Sequence, residues 1–299
     1  MQSSKIIILV GPTASGKSDL AVLIAKKVNG EIISADSRQV YKGMDLGTGK
    51  ITKKEMKGIP HFLLDVTNPW NTFSVSRYKR MGEKIIKDII KRGKTPIICG
   101  GTGHYIEALV DGLFIPEVKP DKKLRKSLEN KTTQELFLLL KKLDSRRANE
   151  IDKNNPRRLV RAIEIATHLG SIPEKTYSPL PYETLWIGVY KDAEELKKRI
   201  HIRLLLRIKK GMINEIRNLH QGRLGKSVSW KKLDDFGLEY RYVSRFLRGL
   251  ISKEEMVSQL EGEIVAYAKR QATWFKRNSR IHWIRELEEA MKIVSSLMR

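Results

Sequence analysis

Short apolar runs alternate with amphipathic stretches through the first third of the chain. The runs IIILV, EIISA, HFLLDV and TPIIC have the length and β-branched content of buried strands. DLAVLIAKKV, the stretch from Ser74 to Arg92 and HYIEALVDG follow them as predicted helices. Because strands and helices that alternate in this way build a parallel sheet covered on both faces, the pattern predicts an α/β fold.

The pattern changes between Phe114 and about Glu183, where prolines interrupt helical stretches such as TQELFLLLKKLD and RRLVRAIEIATH. We predict a helical insertion over 114–184, beside a core formed by 1–113 and 185–299. LWIGVY predicts a returning core strand, and the rest of the chain is mostly helical. Its longest helical stretches are EELKKRIHIRLLLRIKKGM and EEMVSQLEGEIVAYAKRQATWFKR, with IHWI as a last strand.

A glycine-rich segment, GPTASGKS, lies between the first predicted strand and the first predicted helix. It matches G-x-x-x-x-G-K followed by Ser or Thr, which in this context predicts a P-loop NTPase-like sheet. Gly11 and Gly16 let successive amides turn inward, Lys17 reaches the outer phosphates, and Ser18 can ligate Mg²⁺. The helix N-terminus adds partial positive charge. The segment therefore predicts a cradle for phosphate or diphosphate, without naming the molecule that carries it.

The chain is strongly basic, with 58 Lys and Arg against 34 Asp and Glu, a net charge of +24 and a pI near 10.0. This excess favours a polyanionic partner, while a generally Lys-rich proteome is the alternative explanation. The segment 265–285 holds six Lys and Arg and no acid, interleaved with Trp274, Phe275 and Trp283. These aromatic residues suit base stacking, or they belong to the core.

A single cysteine, Cys99, excludes an intramolecular disulfide and a Cys-based zinc site. Because it ends the apolar run TPII, we predict a buried and inert thiol. The apolar stretch near the N-terminus is too short for a signal peptide or a membrane span, so we expect a cytoplasmic protein that does not bind membranes.

Several motifs occur in an order and spacing that resemble the tRNA dimethylallyltransferases, also called tRNA isopentenyltransferases. They are, in chain order, GPTASGKS, SADSRQVYKGMDLGTGK, HFLLDV, ICGGTGHYIEALVDGL, NPRRLVRAIE and KRQATWF. The resemblance covers nearly the whole chain, and ADS followed by YKGMDxGT is not shared by P-loop kinases generally. With one cysteine, the chain also lacks the zinc finger of eukaryotic members, so it resembles the bacterial type.

The resemblance implies transfer of a dimethylallyl group from dimethylallyl diphosphate to an adenine of tRNA, with release of diphosphate. The acceptor is the exocyclic amine of the adenine immediately 3′ of the anticodon, in tRNAs that read codons beginning with U. The glycine-rich loop then holds the diphosphate of the prenyl donor rather than ATP. The implied diphosphate-binding residues are Gly11, Pro12, Thr13, Ala14, Ser15, Gly16, Lys17 and Ser18.

The residue types suit this chemistry. The allylic carbon becomes reactive as diphosphate leaves, so the site must stabilise negative charge on the leaving oxygens. Lys17, the loop amides and Mg²⁺ on Ser18 supply that, and Arg203 matches the arginine that contacts diphosphate in the family. Alkylation makes the amine acidic, so an ordinary carboxylate of pKa about 4 suffices as the base. Asp36 matches the general base of the family.

The resemblance also implies a set of contacts to the tRNA anticodon stem-loop, whose adenine must be flipped out of its stack. The matching positions are Asp36, Ser37, Arg38, Gln39, Thr102, Arg125, Arg157, Arg158, Leu159, Val160 and Arg161. The chain departs from the family at DDFGLEYRYV, where Leu238 and Glu239 replace the usual Tyr and basic residue after Gly237.

Two other functions compete with this interpretation. In a small-molecule kinase or ATPase, Asp65 would act as a Walker-B-like carboxylate and Asp36 would bind the acceptor. That function explains the loop but not the charge. A non-catalytic RNA-binding protein is the third, against which the intact Lys17, Ser18 and Asp36 argue. We expect a monomer.

Overall fold

The computed structural model describes residues 5–297, and within them six strands form one sheet. The strands are β1 (Lys5–Val10), β2 (Gly30–Ala35), β3 (His61–Phe62), β4 (Thr95–Gly100), β5 (Glu183–Val189) and β6 (Ile281–Ile284). Their order is β3-β2-β4-β1-β5-β6, and every neighbouring pair is parallel. The predicted α/β fold with a parallel sheet is confirmed.

The helices of the core follow the strands in the chain. They are α1 (Lys17–Lys27), α2 (Lys53–Met56), α3 (Val75–Lys91), α4 (Gly103–Val110), and later α9 (Ala193–Lys209), α10 (Met212–His220), α11 (Trp230–Phe236), α12 (Leu238–Leu247), α13 (Lys253–Phe275) and α14 (Leu287–Leu297). Hydrophobic clusters cover both faces of the sheet, as the continuous apolar strands require.

The central strands end level with one another, and this alignment positions the site. Val10 and Ala35 both pair with Gly100, and Val10 also pairs with Gly188. The segments after β1, β2 and β4 therefore leave the same edge of the sheet together. In an open parallel sheet this edge is where ligands bind.

Two predicted elements are shorter in the structure. HFLLDV pairs only through His61 and Phe62, because Leu63 and Asp65 have φ of 62° and 55° and turn the chain out of the sheet. The helical stretch after β5 is broken at Gly211, whose φ of 103° ends α9 and starts α10. The predicted helix from Ser74 to Arg92 is confirmed, with the Ser74 side chain accepting from the Arg77 amide at its N-terminus.

Residues 112–179 form a compact unit of their own, distinct from the unit formed by 1–111 and 180–299. The smaller unit contains α5 (Lys122–Leu128), α6 (Thr133–Leu143), α7 (Ser145–Glu150) and α8 (Pro156–Leu169). Its hydrophobic core includes Leu136, Leu140, Leu159 and Ile163. Across residues 5–297, no helix combines the length and apolar character that crossing a membrane requires.

Candidate active site

The glycine-rich loop has the backbone that its sequence predicts. Gly11, Ala14 and Gly16 have φ of 155°, 63° and 91°, so the chain curls between β1 and α1. A Cβ at Gly11 would lie 3.0 Å from the Val189 carbonyl oxygen, which explains why the position needs glycine. The Ser15 amide donates to the Pro12 carbonyl at 3.3 Å and closes the loop.

A cavity of about 270 Å³ opens at this edge of the sheet. The predicted site residues that line it are Thr13, Ala14, Lys17, Ser18, Asp36, Ser37, Arg38, Gln39 and Arg203. Gly11, Pro12, Ser15 and Gly16 shape the loop without lining the cavity. The structure thus brings together side chains from the loop, from the end of β2 and from α9.

Lys17 is the cation of the loop. Its Nζ donates to the Pro12 carbonyl at 3.0 Å, which holds the side chain over the loop. Burial lowers the pKa of Lys17, Asp36 acts against this shift, and Arg203 adds to it. Lys17, Asp36 and Arg203 are therefore electrostatic neighbours in one cavity.

Two carboxylates line the cavity, Asp36 and Glu239. Glu239 is buried and pairs with Arg207, Oε1 to Nη2, at 2.8 Å. Asp36 Oδ1 accepts from the amides of Arg38 at 2.8 Å and Gln39 at 3.3 Å, a turn that fixes the carboxylate. Asp36 makes no ion pair with any other residue of 5–297, unlike Glu239.

Arg203 and Arg207 lie one turn apart on the same face of α9. Arg203 makes no hydrogen bond or ion pair with another described residue, and it is exposed to the cavity. Desolvation by the surrounding protein lowers the pKa of Arg203, and the neighbouring charge of Arg207 lowers it further. Arg207 instead donates to the carbonyls of Leu46 at 3.3 Å and Gly47 at 3.1 Å. Of these two arginines of α9, Arg203 is thus the one available to an anionic ligand.

Comparison with known proteins decides between the families that this cavity suits. Residues 39–278 match the IPP transferase family. A tRNA dimethylallyltransferase 2 from Trichlorobacter lovleyi is 42% identical over 287 residues, covering 94% of this chain and 92% of that protein. The tRNA dimethylallyltransferase of Acetivibrio thermocellus is 39% identical, covering 98% and 96%. The chain belongs to the IPP transferase family. The predicted family is confirmed.

Solved structures place the fold in the IPP transferase family as well. The full-length tRNA isopentenylpyrophosphate transferase from Bacillus halodurans matches 99% of this chain and 96% of its own, with a TM-score of 0.72 and 34% identity. A eukaryotic dimethylallyltransferase acting on tRNA matches 95% of this chain and 74% of its own, with a TM-score of 0.79 and 28% identity.

The carboxylate that a kinase would need lies elsewhere. Asp65 Oδ1 is 2.6 Å from Lys50 Nζ, and the same Nζ is 2.6 Å from Asp45. Asp65 does not line the cavity. Through Lys50, Asp65 joins the segment that follows β3 to the segment between β2 and β3.

Thr102 lies beside the cavity rather than in its lining. Its Oγ1 accepts from the Ser37 amide at 3.1 Å, and its amide donates to the Ala35 carbonyl at 3.1 Å. Thr102 also forms a hydrogen bond with the side chain of Tyr267, a cavity residue whose pKa burial raises to about 12. At neutral pH Tyr267 therefore keeps its proton.

The predicted tRNA positions of the smaller unit have varied surroundings. Glu164 is fully buried and accepts from Arg125 Nε at 2.6 Å and Nη2 at 2.8 Å, and from Arg161 Nη1 at 3.1 Å. Leu159 is fully buried in the core of this unit and Val160 is partly buried. Arg157 and Arg158 are exposed on the first turn of α8.

Sequence reasoning missed Gln271, which is buried on α13 and lines the cavity. Its Oε1 accepts from the Thr13 amide at 2.8 Å, and its Nε2 donates to the Gly101 carbonyl at 2.9 Å. Gln271 therefore holds the glycine-rich loop to the segment after β4. Its place inside the KRQATWF motif was the available signal.

The aromatic residues near Gln271 divide between two roles. Phe275 is buried in the core, whereas Trp274 and Trp283 are 38% and 36% exposed. The guanidinium of Arg277 lies 6.0 Å from the centre of the Trp274 ring. Of these three aromatic residues, only the two tryptophans are partly exposed, and Trp274 has a basic side chain over its ring.

Proposed function

We propose that this protein transfers the dimethylallyl group of dimethylallyl diphosphate to the exocyclic amine of the adenine 3′ of the anticodon, in tRNAs that read codons beginning with U. Diphosphate is released. The observation that carries the proposal is the cavity itself, in which Lys17, Arg203 and the unpaired Asp36 face one another. The names of the relatives, which are tRNA dimethylallyltransferases, support the same reaction.

The reaction is a substitution at the allylic carbon. The adenine nitrogen forms a bond to that carbon while the bond between carbon and the bridging oxygen breaks, and the electron pair leaves with diphosphate. Lys17, the loop amides and Arg203 stabilise the growing charge on the leaving oxygens. The proton of the alkylated amine passes to Asp36, whose Oδ2 takes no hydrogen bond from another described residue.

Mg²⁺ is the proposed cofactor. The Ser18 hydroxyl is exposed in the cavity at the start of α1, and no cluster of three or more His, Cys, Asp or Glu within residues 5–297 would hold a metal alone. A single hydroxyl ligand fits Mg²⁺, because this ion commonly takes few protein ligands and completes its coordination shell with phosphate oxygens and water. When bound, it would neutralise part of the diphosphate charge while Ser18 orients it.

We propose that tRNA contacts come from Asp36, Ser37, Arg38 and Gln39 at the cavity and from the exposed Arg157 and Arg158 of the smaller unit. Arg125 and Arg161 contribute mainly by fixing α8 through Glu164. Leu159 is buried, so its side chain supports this helix from within. Cytoplasmic location and a monomeric state remain predictions.

The test is transfer of labelled dimethylallyl diphosphate into bulk tRNA, followed by mapping of the label. We expect label on the adenine 3′ of the anticodon only in tRNAs that read codons beginning with U. A parallel reaction contains labelled ATP in place of the prenyl donor. Phosphate transfer or hydrolysis of ATP with no prenyl transfer would overturn the proposal in favour of a kinase.

A further inference from the structure

Residues 44–49 form a loop after β2, of which Gly47, Thr48 and Gly49 line the cavity. The carboxylate of Glu215, on α10, binds the backbone amides of this loop. Its Oε2 accepts from the amides of Asp45 at 3.0 Å and Leu46 at 2.6 Å, and its Oε1 accepts from the Gly47 amide at 3.0 Å. Since a loop without regular structure depends on such partners, Glu215 fixes one side of the cavity wall.

Arg207 holds the same loop by its carbonyl groups. Its Nη1 donates to the carbonyls of Leu46 and Gly47, while its Nη2 pairs with Glu239. The side chains of this pair are 16% and 10% exposed, so the ion pair is largely shielded from water. Glu239 thereby keeps Arg207 directed at the loop.

Both supports lead back to adjacent residues at the start of α12. Glu239 pairs with Arg207, and the hydroxyl of Tyr240 donates to Glu215 Oε1 at 3.0 Å. Tyr240 is fully buried, and a Cβ added at Gly47 would lie 2.6 Å from its ring carbon and hydroxyl. The amides of the loop are bound by Glu215 and its carbonyl groups by Arg207, and Gly47 packs closely against Tyr240. All of these contacts depend on Glu239 and Tyr240 of the GLEYR segment.

The loop in turn packs against the arginine that faces the ligand. A Cβ at Gly49 would lie 3.3 Å from Nη2 of Arg203. Arg203 has no hydrogen bond or ion pair of its own among residues 5–297, so this contact limits where its guanidinium can lie. Movement of the loop would therefore change the space available to Arg203.

We propose that Glu239 and Tyr240 are positioning residues for the prenyl donor, acting through Arg207 and Glu215 on loop 44–49. The proposal rests on the proposed function, since the donor is the diphosphate that Lys17 and Arg203 bind. It assigns a role to the segment in which this chain departs from its family, where Leu238 and Glu239 follow Gly237.

The first test is Tyr240→Phe in the full-length protein. Phenylalanine keeps the buried ring and removes only the hydrogen bond to Glu215. We expect the KM for dimethylallyl diphosphate to rise about three- to tenfold, as for one lost buried hydrogen bond, with the KM for tRNA unchanged. Hydrogen exchange of the amides of residues 45–47 should accelerate by a similar factor.

Tyr242→Phe is the matched control on the same helix. Tyr242 is buried, its hydroxyl makes no hydrogen bond to another described residue, and it does not line the cavity. We expect both KM values and the exchange of 45–47 to stay at the level of the unaltered protein. A loss of folded protein would lower apparent kcat and leave KM unchanged, so it is distinguishable.

The second test is the pair Glu239→Gln and Tyr240→Phe in one chain. Because the two supports hold the same residues, the remaining support limits the loop when one is lost. Amide exchange at 45–47 in the double variant should therefore exceed the product of the single effects. If the double variant accelerates exchange only by the product of the two single effects, the two supports do not hold the same loop. Unchanged exchange at 45–47 in Tyr240→Phe would also contradict the proposal.

Faster exchange with an unchanged KM for the donor would also overturn the proposal, because the loop would then be fixed without serving the substrate. If the unaltered protein transfers no prenyl group, the proposed function fails while the loop is still testable. Binding of inorganic diphosphate by calorimetry then replaces KM. Equal affinity for diphosphate in Tyr240→Phe and the unaltered protein would reject the positioning role.

Discussion

Arginines in two regions of this protein have opposite surroundings. Arg203 lies in the cavity without an ion-pair or hydrogen-bond partner among the described residues, whereas Arg125 and Arg161 of the smaller unit share the buried carboxylate of Glu164. All three were predicted from the sequence to contact a ligand. A motif arginine whose N–H groups are already used by a buried carboxylate has a structural role first, and one left unpaired in a cavity is ready for an anion.

The largest expected effect concerns the cavity. Lys17→Ala removes the cation held over the loop, so binding of an unreactive dimethylallyl diphosphate analogue with Mg²⁺ and tRNA should weaken by about 2–5 kcal/mol, as for one lost partner of a buried charge pair. Calorimetry measures this loss. Lys26→Ala, an exposed change on the same helix, is the control and should leave the affinity unaltered. Tight binding of ATP by the unaltered protein would contradict the proposal that the cavity binds a prenyl diphosphate.

Asp36→Asn tests the base. Asparagine still accepts from the amides of Arg38 and Gln39, so the turn is kept while proton transfer is lost. Single-turnover prenylation should slow about 10²-fold or more, with tRNA affinity within a few-fold. Asp65→Asn, outside the cavity, should change the chemical step only slightly. An unaltered rate in Asp36→Asn would remove this residue from the mechanism.

Glu164→Gln tests the structural side. It leaves two arginines without their shared carboxylate, and we expect the free energy of unfolding to fall by about 2–4 kcal/mol, somewhat less than for a fully buried pair because both arginines are partly exposed. Urea unfolding measures the change. Affinity for the prenyl diphosphate analogue should not move. A large loss of that affinity would show that the two regions do not have separate roles.

The same glutamate makes stability depend on pH. Burial alone would raise the pKa of Glu164, but hydrogen bonds from Arg125 and Arg161 outweigh it, so the pKa is lowered from 4.5. A lowered folded-state pKa contributes stability above the unfolded value and loses it as pH falls through the folded value. Urea unfolding measured as the pH is lowered from 5 should therefore show that the free energy of unfolding decreases below about pH 4.5. This decrease should be absent in Glu164→Gln.

The smallest expected effect is at the acid-free segment 265–285. Lys276 is exposed and has no ion pair with another residue of 5–297, so Lys276→Ala should reduce the salt dependence of tRNA binding by about one counterion. Arg125→Met removes a cation that Glu164 already holds, so it should leave the salt slope unchanged while the loss of its support to α8 lowers the affinity itself. Equal slopes for Lys276→Ala and the unaltered protein would contradict a phosphate contact there.

Much of this arrangement follows from local sequence. Apolar strands before GPTASGKS, Asp36 and GGTG place those segments at one sheet edge, because parallel strands end together. The turn at Leu63 and Asp65 and the break at Gly211 were not predicted, since they depend on single left-handed residues. The KRQATWF motif marks Gln271, but nothing in the sequence identifies Thr13, 258 positions away, as its partner.

Cys99 is the last residue but one of β4, and its Sγ lies 3.8 Å from the Lys17 carbonyl oxygen. The predicted burial is confirmed, and burial raises the pKa of this thiol to about 11. Cys99 also lines the cavity, so an alkylating reagent that attacks thiolates should react with it slowly and from the cavity side. The rate at which this thiol is labelled therefore reports access to the cavity wall beside the glycine-rich loop, and a ligand bound in the cavity should lower that rate.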